Sequence, residues 1–132
     1  NYEAKGLSVS SDNVGNVYTI GVFSQQVDFI PGRRGFSLFG TSPYWESYIA
    51  KYDINGNFLW AKKIGGYQVD GYDLTVDNAQ NIYVVGVFNN SIDFGSGVTL
   101  SSTGMFYAKY NNLGNILWAK RIGSTGVTHN IE

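Results

Sequence analysis

The sequence of 132 residues contains no cysteine and only one histidine, His129. Without cysteine the chain has no disulfides, and a lone histidine gives no support for a Ser/His/Asp or Cys/His catalytic set. Charged residues make up only 14% and the net charge is −1, so neither nucleic acid nor an anionic membrane is an expected partner. No apolar run is long enough to span a bilayer. We therefore expect a non-catalytic protein with no transmembrane segment, cofactor or metal site.

What the chain does contain is a repeat. Residues 16–29 return as 81–94 with 7 of 14 positions identical, and residues 48–65 return as 106–123 with 11 of 18 identical. The offset falls from 65 in the first pair to 58 in the second, so copy one carries seven more residues between its two halves. Such length differences fall in loops, which in repeat proteins collect on one face that often binds partners.

Each copy is predicted to form four short strands rich in β-branched and aromatic residues. They are 7–10, 16–23, 47–53 and 58–64 in copy one, and 74–77, 81–88, 105–111 and 116–122 in copy two. Asn and Gly between the strands tolerate the positive φ that tight hairpins need. Aligning Leu7–Ser10 with Leu74–Asp77 leaves two additional residues in the turn after the first strand of copy one.

The strands have apolar residues on both faces, as the two alternating sets in Val17–Phe23 show. A sheet with one wet face would alternate with polar residues, so this sheet is expected to be covered on both sides. Four short antiparallel strands, repeated and stacked, form a β-propeller blade. We predict an all-β partial propeller, with four-stranded blades at 7–65 and 66–123 and the start of a third at 124–132. A ring needs roughly 4–8 blades, supplied by a longer chain, by copies or by partners.

The repeated segments resemble a known family. Residues 71–86, 92–95, 107–110 and 114–123 together resemble the bacterial SBBP (seven-bladed β-propeller) repeat, and the resemblance occurs twice. It implies a secreted or cell-surface bacterial protein of the kind frequent in Bacteroidota-like lineages. Some such proteins are exported by type IX secretion or associate with outer-membrane machinery. The family brings no catalytic motif to any residue of this chain.

The insertion in copy one holds the best candidates for a binding site. Arg33, Arg34, Tyr44 and Trp45 lie in it without equivalents in copy two. Aromatic and arginine side chains outside a repeat pattern are the types enriched at protein interfaces. The alternative is that these residues only fill the space that the longer loop creates.

Other residues have both a structural and a functional interpretation. The segment Asp53–Asn57 spaces oxygen donors as a calcium loop does, although a β-turn with Asx hydrogen bonds is the alternative. Asp28 and Asp93 could form a carboxylate pair, yet their equivalent positions favour bonds to backbone N–H groups at strand ends. The mid-strand Trp60 and Trp118 are expected to pack between blades rather than to stack on sugars.

The predicted function is that of a secreted or cell-surface propeller that binds a protein as an adhesion or secretion-associated scaffold. The alternatives are a glycan-binding propeller lectin and a structural fragment of a larger secreted enzyme. The expected partners are a protein, the remaining propeller blades, or copies that close the ring as a homo-oligomer. The expected location is extracellular or at the bacterial cell surface, in association with the outer membrane.

Overall fold

The computed structural model describes residues 3–30, 35–41 and 43–123, and within these ranges the chain forms strands and turns without a helix. The strands are β1 (Glu3–Ser11), β2 (Val17–Ser24), β3 (Gln26–Asp28), β4 (Ser37–Phe39), β5 (Trp45–Tyr52), β6 (Phe58–Gly66), β7 (Val69–Val76), β8 (Ile82–Phe88), β9 (Ser91–Asp93), β10 (Thr99–Ser101), β11 (Gly104–Tyr110) and β12 (Ile116–Ile122). This confirms the predicted all-β class. The described residues accordingly offer no helix of the length and hydropathy that a membrane span requires.

Each copy of the repeat folds into one antiparallel blade. Blade one has the strand order β1-β2-β5-β6, and blade two has the order β7-β8-β11-β12. The four long strands predicted for each copy are therefore confirmed, with small differences at their ends. The largest differences are at the first strand of each blade. Strand β1 begins at Glu3 rather than at Leu7 because residues 3–6 pair with residues 21–24 of β2, and β7 begins at Val69 rather than at Leu74 because residues 69–71 pair with residues 86–88 of β8.

Each blade also carries a short hairpin between its second and third strands, which the sequence did not predict. In blade one it is β3-β4, and in blade two it is β9-β10. Strand β9 also pairs with the outer strand of blade one, where Gly65 lies opposite Asp93 and Gly66 opposite Ile92. The second hairpin thus joins the two blades through backbone hydrogen bonds. Three-residue strands are too short to show the period-two pattern by which strands are recognised.

The first strands of the two blades have a different register from the one predicted. Ser8 pairs with Ile20 and Asp73 pairs with Val85, and Ile20 and Val85 are equivalent in the repeat. The offset of 65 therefore continues to the start of both copies, and Asp12 is the equivalent of Asp77. The predicted two additional residues in the first turn of copy one were wrong. Leu7 and Leu74 are identical residues at non-equivalent positions, whereas Asp12 and Asp77, which organise the two turns, are equivalent.

Four hairpin turns at one end of the blades, here called the turn end, share one hydrogen-bond pattern. In each, the side-chain oxygen of the first residue accepts the N–H groups two and four positions later at 2.9–3.0 Å. The fourth residue has positive φ, which glycine adopts without strain in three of the turns. The turns are Asp12–Asn16, Asp53–Asn57, Asp77–Asn81 and Asn111–Asn115. Asp53–Asn57 is thus a β-turn with Asx hydrogen bonds, the alternative to a calcium loop.

Asp12 is the most enclosed of these turn residues. It accepts hydrogen bonds from the Asn16 side chain at 3.0 Å and from the Tyr18 hydroxyl at 2.9 Å. Burial acts to raise the pKa of Asp12, but hydrogen bonds from Asn16, Val14 and Tyr18 outweigh it and hold the pKa below its ordinary value. Hydrogen bonds within its own turn lower the pKa of Asp77 in the same way. Both turns are therefore most stable with an ionised carboxylate.

The main hydrophobic core lies between the two blades. Its buried members are contributed by both sheets and by the β9-β10 hairpin and the turn that follows β9. Among them are Tyr18, Ile20, Ile49, Ile64, Leu74, Phe88, Ile92, Phe94, Phe106 and Tyr110. Trp60 packs against this core, as predicted, and its indole Nε1 donates to the Asn112 carbonyl at 3.2 Å. A second cluster, on the other face of blade one, includes Phe23 and Tyr48 and is covered by the β3-β4 hairpin. Both faces of blade one therefore carry buried apolar residues, although β1 itself is largely exposed.

Replacing Asp12 by asparagine should reduce the effect of acid on stability. Because the folded pKa of Asp12 lies below its unfolded value, its stabilisation is present above about pH 4 and is lost as the pH falls through the folded pKa. Asparagine fits the position, since Asn111 makes the same backbone bonds in the fourth turn. Chemical denaturation at neutral and acidic pH should show wild type losing more stability than Asp12→Asn.

At neutral pH the variant should be less stable by about 1 kcal/mol, because a charged acceptor for Tyr18 is replaced by a neutral one. Parallel pH profiles for the two proteins would contradict the role given to Asp12.

Candidate binding site at the long-loop end

The two ends of the blades differ in kind. Because neighbouring strands are antiparallel, the β2–β5 and β8–β11 connections lie at the same end as the β6–β7 connection. Among the described residues, this long-loop end comprises 25–30, 35–41, 43–44, 67–68 and 89–103. The opposite turn end holds only compact hairpins whose first side chain is bonded to its own backbone. Variation in length and sequence is therefore concentrated at the long-loop end.

The seven additional residues of copy one divide between two places. Phe29 N–H bonds to the Phe36 carbonyl across six residues, whereas the equivalent bond from Phe94 to Val98 spans three. The hairpin tip therefore accounts for three of the seven. The other four lie just before β5. Five residues separate Gly40 from the second residue of β5, whereas a single residue fills the equivalent gap in blade two.

Glu46 anchors this second part of the insertion. It is only 2% exposed, and its carboxylate accepts the Thr41 N–H at 2.8 Å and the Gly66 N–H at 3.0 Å. Thr41 belongs to the insertion that leads to Tyr44, and Gly66 immediately precedes Tyr67. One buried carboxylate thus ties together the two segments that carry these tyrosines.

Sequence analysis missed Glu46. Its structural equivalent in blade two is Gly104, since Glu46 pairs with Phe23 and Gly104 pairs with the equivalent Phe88. The available signal was a carboxylate near the start of a strand rich in aromatic residues, at a position where the other copy has a glycine. An acidic residue at a buried strand position needs donors close by.

Tyr44 and Tyr67 meet edge to face, with ring centroids 5.2 Å apart. With Asn89, Asn90 and Thr103 they line a cavity of about 420 Å3. Asn90 has a positive φ of 65°, and its N–H donates to Thr103 Oγ1 at 3.0 Å. The cavity, here called the tyrosine cleft, is built from both blades and from three separate connections. Its volume is in the range of small-ligand and side-chain pockets.

The structure does not bring the predicted site residues together in one place. Tyr44 lines the tyrosine cleft, whereas Trp45 is the first residue of β5 and its ring lies 5.4 Å from the Lys5 ammonium. The Trp45 N–H donates to Gln68 Oε1 at 3.3 Å, which places it beside the cleft without lining it. Arg33 and Arg34 lie outside the described residues. So does the predicted start of a third blade at 124–132.

Asp28 and Asp93 occupy equivalent structural positions. Asp28 accepts the Ile30 N–H at 3.0 Å, and Asp93 accepts the Gly95 N–H at 2.8 Å. Each aspartate closes the turn after the first strand of its short hairpin, as the structural interpretation predicted. Among residues 3–30, 35–41 and 43–123, no three potential ligands from His, Cys, Asp and Glu lie together in a way that could hold a metal ion.

A segment that includes strands of both blades matches a known repeat family. Residues 59–87 match the family model of SBBP, described as a β-propeller repeat. The chain contains an SBBP repeat. The matched residues run from the outer strand of blade one into β8, so the SBBP match spans the boundary between the two blades. The resemblance inferred from the sequence is thereby confirmed.

A distant relative is an uncharacterized WD repeat-containing protein, L264, of Acanthamoeba polyphaga mimivirus. It is 33% identical to this chain over 93 residues, which is 62% of the chain but 7% of the relative. The chain therefore matches only a small part of that much longer protein.

Replacing Glu46 by alanine should destabilise the protein by about 2 kcal/mol, because the N–H groups of Thr41 and Gly66 lose their acceptor. Urea denaturation of the full chain measures this change. Glu3→Ala, at an exposed position in β1, is the matched control and should stay within about 0.5 kcal/mol of wild type. Equal stability of the two variants would show that the carboxylate does not hold the two segments.

Proposed function

We propose that this protein is a non-catalytic protein-binding module, and that its blades present the tyrosine cleft to a protein partner. The observation that carries the proposal is the asymmetry between the two ends of the blades. The turn end repeats one self-bonded hairpin four times, while the long-loop end joins Tyr44 of the copy-one insertion, together with Tyr67, to polar side chains of blade two.

The composition of the cleft supports a protein partner. Tyrosine is among the residues enriched at binding hot spots, and its rigid ring offers contact area at low entropic cost. Tyr67 is 44% exposed although it is held between two β-strands, so its ring is available and fixed in place. Arg33 and Arg34 of the same insertion remain proposed members of this surface.

A glycan is the second candidate ligand, favoured by the combination of tyrosine rings with the side chains of Asn90 and Thr103 in one cleft. Sugars bind by stacking a ring face on an aromatic face. In the edge-to-face pair of Tyr44 and Tyr67, one ring covers part of the face of the other. This geometry reduces the ring surface that is open to a sugar, which favours the protein ligand.

We further propose that the protein acts outside the cell or at the bacterial cell surface, as an adhesion or secretion-associated scaffold. The low fraction of charged residues, 14%, and the SBBP repeat support this proposal. Export by type IX secretion is the route that the family resemblance suggests. A propeller embedded in a larger secreted enzyme is the alternative, and there the catalytic groups would come from residues outside this sequence.

Photo-crosslinking tests the tyrosine cleft without knowledge of the partner. A benzophenone amino acid is placed at Tyr67 in the full-length protein in its native cells, and adducts are identified by mass spectrometry after irradiation. We expect a defined protein adduct, because the ring at this position points into the proposed interface. The same probe at Ile54, which is 68% exposed at the turn end, is the matched control.

An adduct at Tyr67 that is absent at Ile54 supports the proposal. No adduct at Tyr67, or the same adducts at both positions, would overturn it. A carbohydrate adduct at Tyr67 would replace the protein ligand by the glycan.

A further inference from the structure

The contact between the two blades contains a specific pair of donors. The Trp60 indole Nε1 and the Lys51 ammonium both donate to one acceptor, the backbone carbonyl of Asn112, each at 3.2 Å. Asn112 is the second residue of the turn between the third and fourth strands of blade two. Two side chains of one blade thus bind one turn carbonyl of the next blade.

Gly114, in the turn that carries the Asn112 carbonyl, leaves room for the Trp60 indole to come close. A Cβ atom on Gly114 would lie 3.1 Å from ring atoms of Trp60 and 2.9 Å from Lys62 Cε. The equivalent residue of blade one, Gly56, has no neighbour within 4 Å of the same position. Blade one therefore has the same compact turn without an indole against it.

Blade two repeats the donor pair on its opposite face. Lys109 and Trp118 are paired across β11 and β12 as Lys51 and Trp60 are paired across β5 and β6. The Lys109 ammonium lies 5.4 Å from the Tyr83 ring, as the Lys51 ammonium lies 5.3 Å from Tyr18. Within the described part of the chain, neither Lys109 nor Trp118 has a hydrogen-bond acceptor for these side-chain donors.

The apolar side chains around this second pair are also exposed. Ile20, Ile49 and Ile64 are each 0% exposed in the contact between the blades. Their equivalents on blade two are exposed by 40%, 38% and 38%, and they are Val85, Tyr107 and Ile122 respectively. Tyr107 and Val85 line a shallow cavity of about 190 Å3 beside Tyr83. Exposed apolar area of this kind marks an interaction surface.

We propose that this face of blade two binds a further blade of the same repeat, and that Lys109 and Trp118 together bind the carbonyl of the second residue in that blade's last turn. The occupant is inferred from the contact that already exists between blade one and blade two. A lipid or an unrelated helix would cover the apolar side chains but would offer no turn carbonyl in register with both donors. This surface is distinct from the tyrosine cleft, and the proposal does not depend on it.

Hydrogen exchange of the indole N–H groups in the full-length protein tests the proposal. Trp→Phe variants assign the indole signals in nuclear magnetic resonance spectra. We expect the Trp118 indole proton to exchange as slowly as that of Trp60, at least about a hundredfold more slowly than a free indole. Exchange of Trp118 at the rate of a free indole, with Trp60 protected, would overturn the proposal.

A matched pair of lysine variants tests whether the donors share one acceptor. Lys51→Met should speed exchange at Trp60, and Lys109→Met should speed exchange at Trp118 by a similar factor of about ten, because each removes one of two bonds to the same carbonyl. If Trp118 is protected but insensitive to Lys109→Met while Trp60 responds to Lys51→Met, a different occupant covers this face and the proposal fails.

Discussion

Each blade of this protein is a sheet with two apolar faces, and the rest of the structure depends on how those faces are covered. A sheet of this kind is stable only when neighbours remove both faces from water. Between the blades, Ile20 and Ile49 are completely buried against residues of blade two. The equivalents on the other side of blade two remain partly exposed. Stability is therefore shared between neighbouring units, as in other repeat proteins.

Backbone pairing reinforces the side-chain contact. The β9-β10 hairpin belongs to blade two but pairs with the last residues of β6 at Gly65 and Gly66. A Cβ atom on Gly66 would lie 2.5 Å from the Ser91 carbonyl oxygen, so a side chain there would force the hairpin away. Its own apolar residues, Ile92 and Phe94, enter the core between the blades. One short hairpin thus links the two sheets by hydrogen bonds and by burial.

The same architecture separates residues that serve the fold from those of the proposed binding surface. At the turn end, an aspartate or asparagine bonds to its own turn in every hairpin, which leaves these side chains committed to the fold. At the long-loop end, Glu46 serves the fold but does so by holding two loops in place. Tyr44 and Tyr67, which lie in these two loops, are therefore held in place and remain accessible. Rigid support for exposed aromatic rings is what a binding surface requires.

The sequence by itself determined the repeat, the eight long strands, the hairpin turns and the structural role of Asp28 and Asp93. These features depend on local patterns, namely period-two alternation, turn residues and the identity of equivalent positions. Tertiary structure alone decided the short hairpins, the register of Ser8 opposite Ile20, and the meeting of Tyr44 with Tyr67. These depend on pairing between segments far apart in the chain. Such pairing depends on which strand edges and which sheet faces meet in space, and local sequence patterns do not determine it.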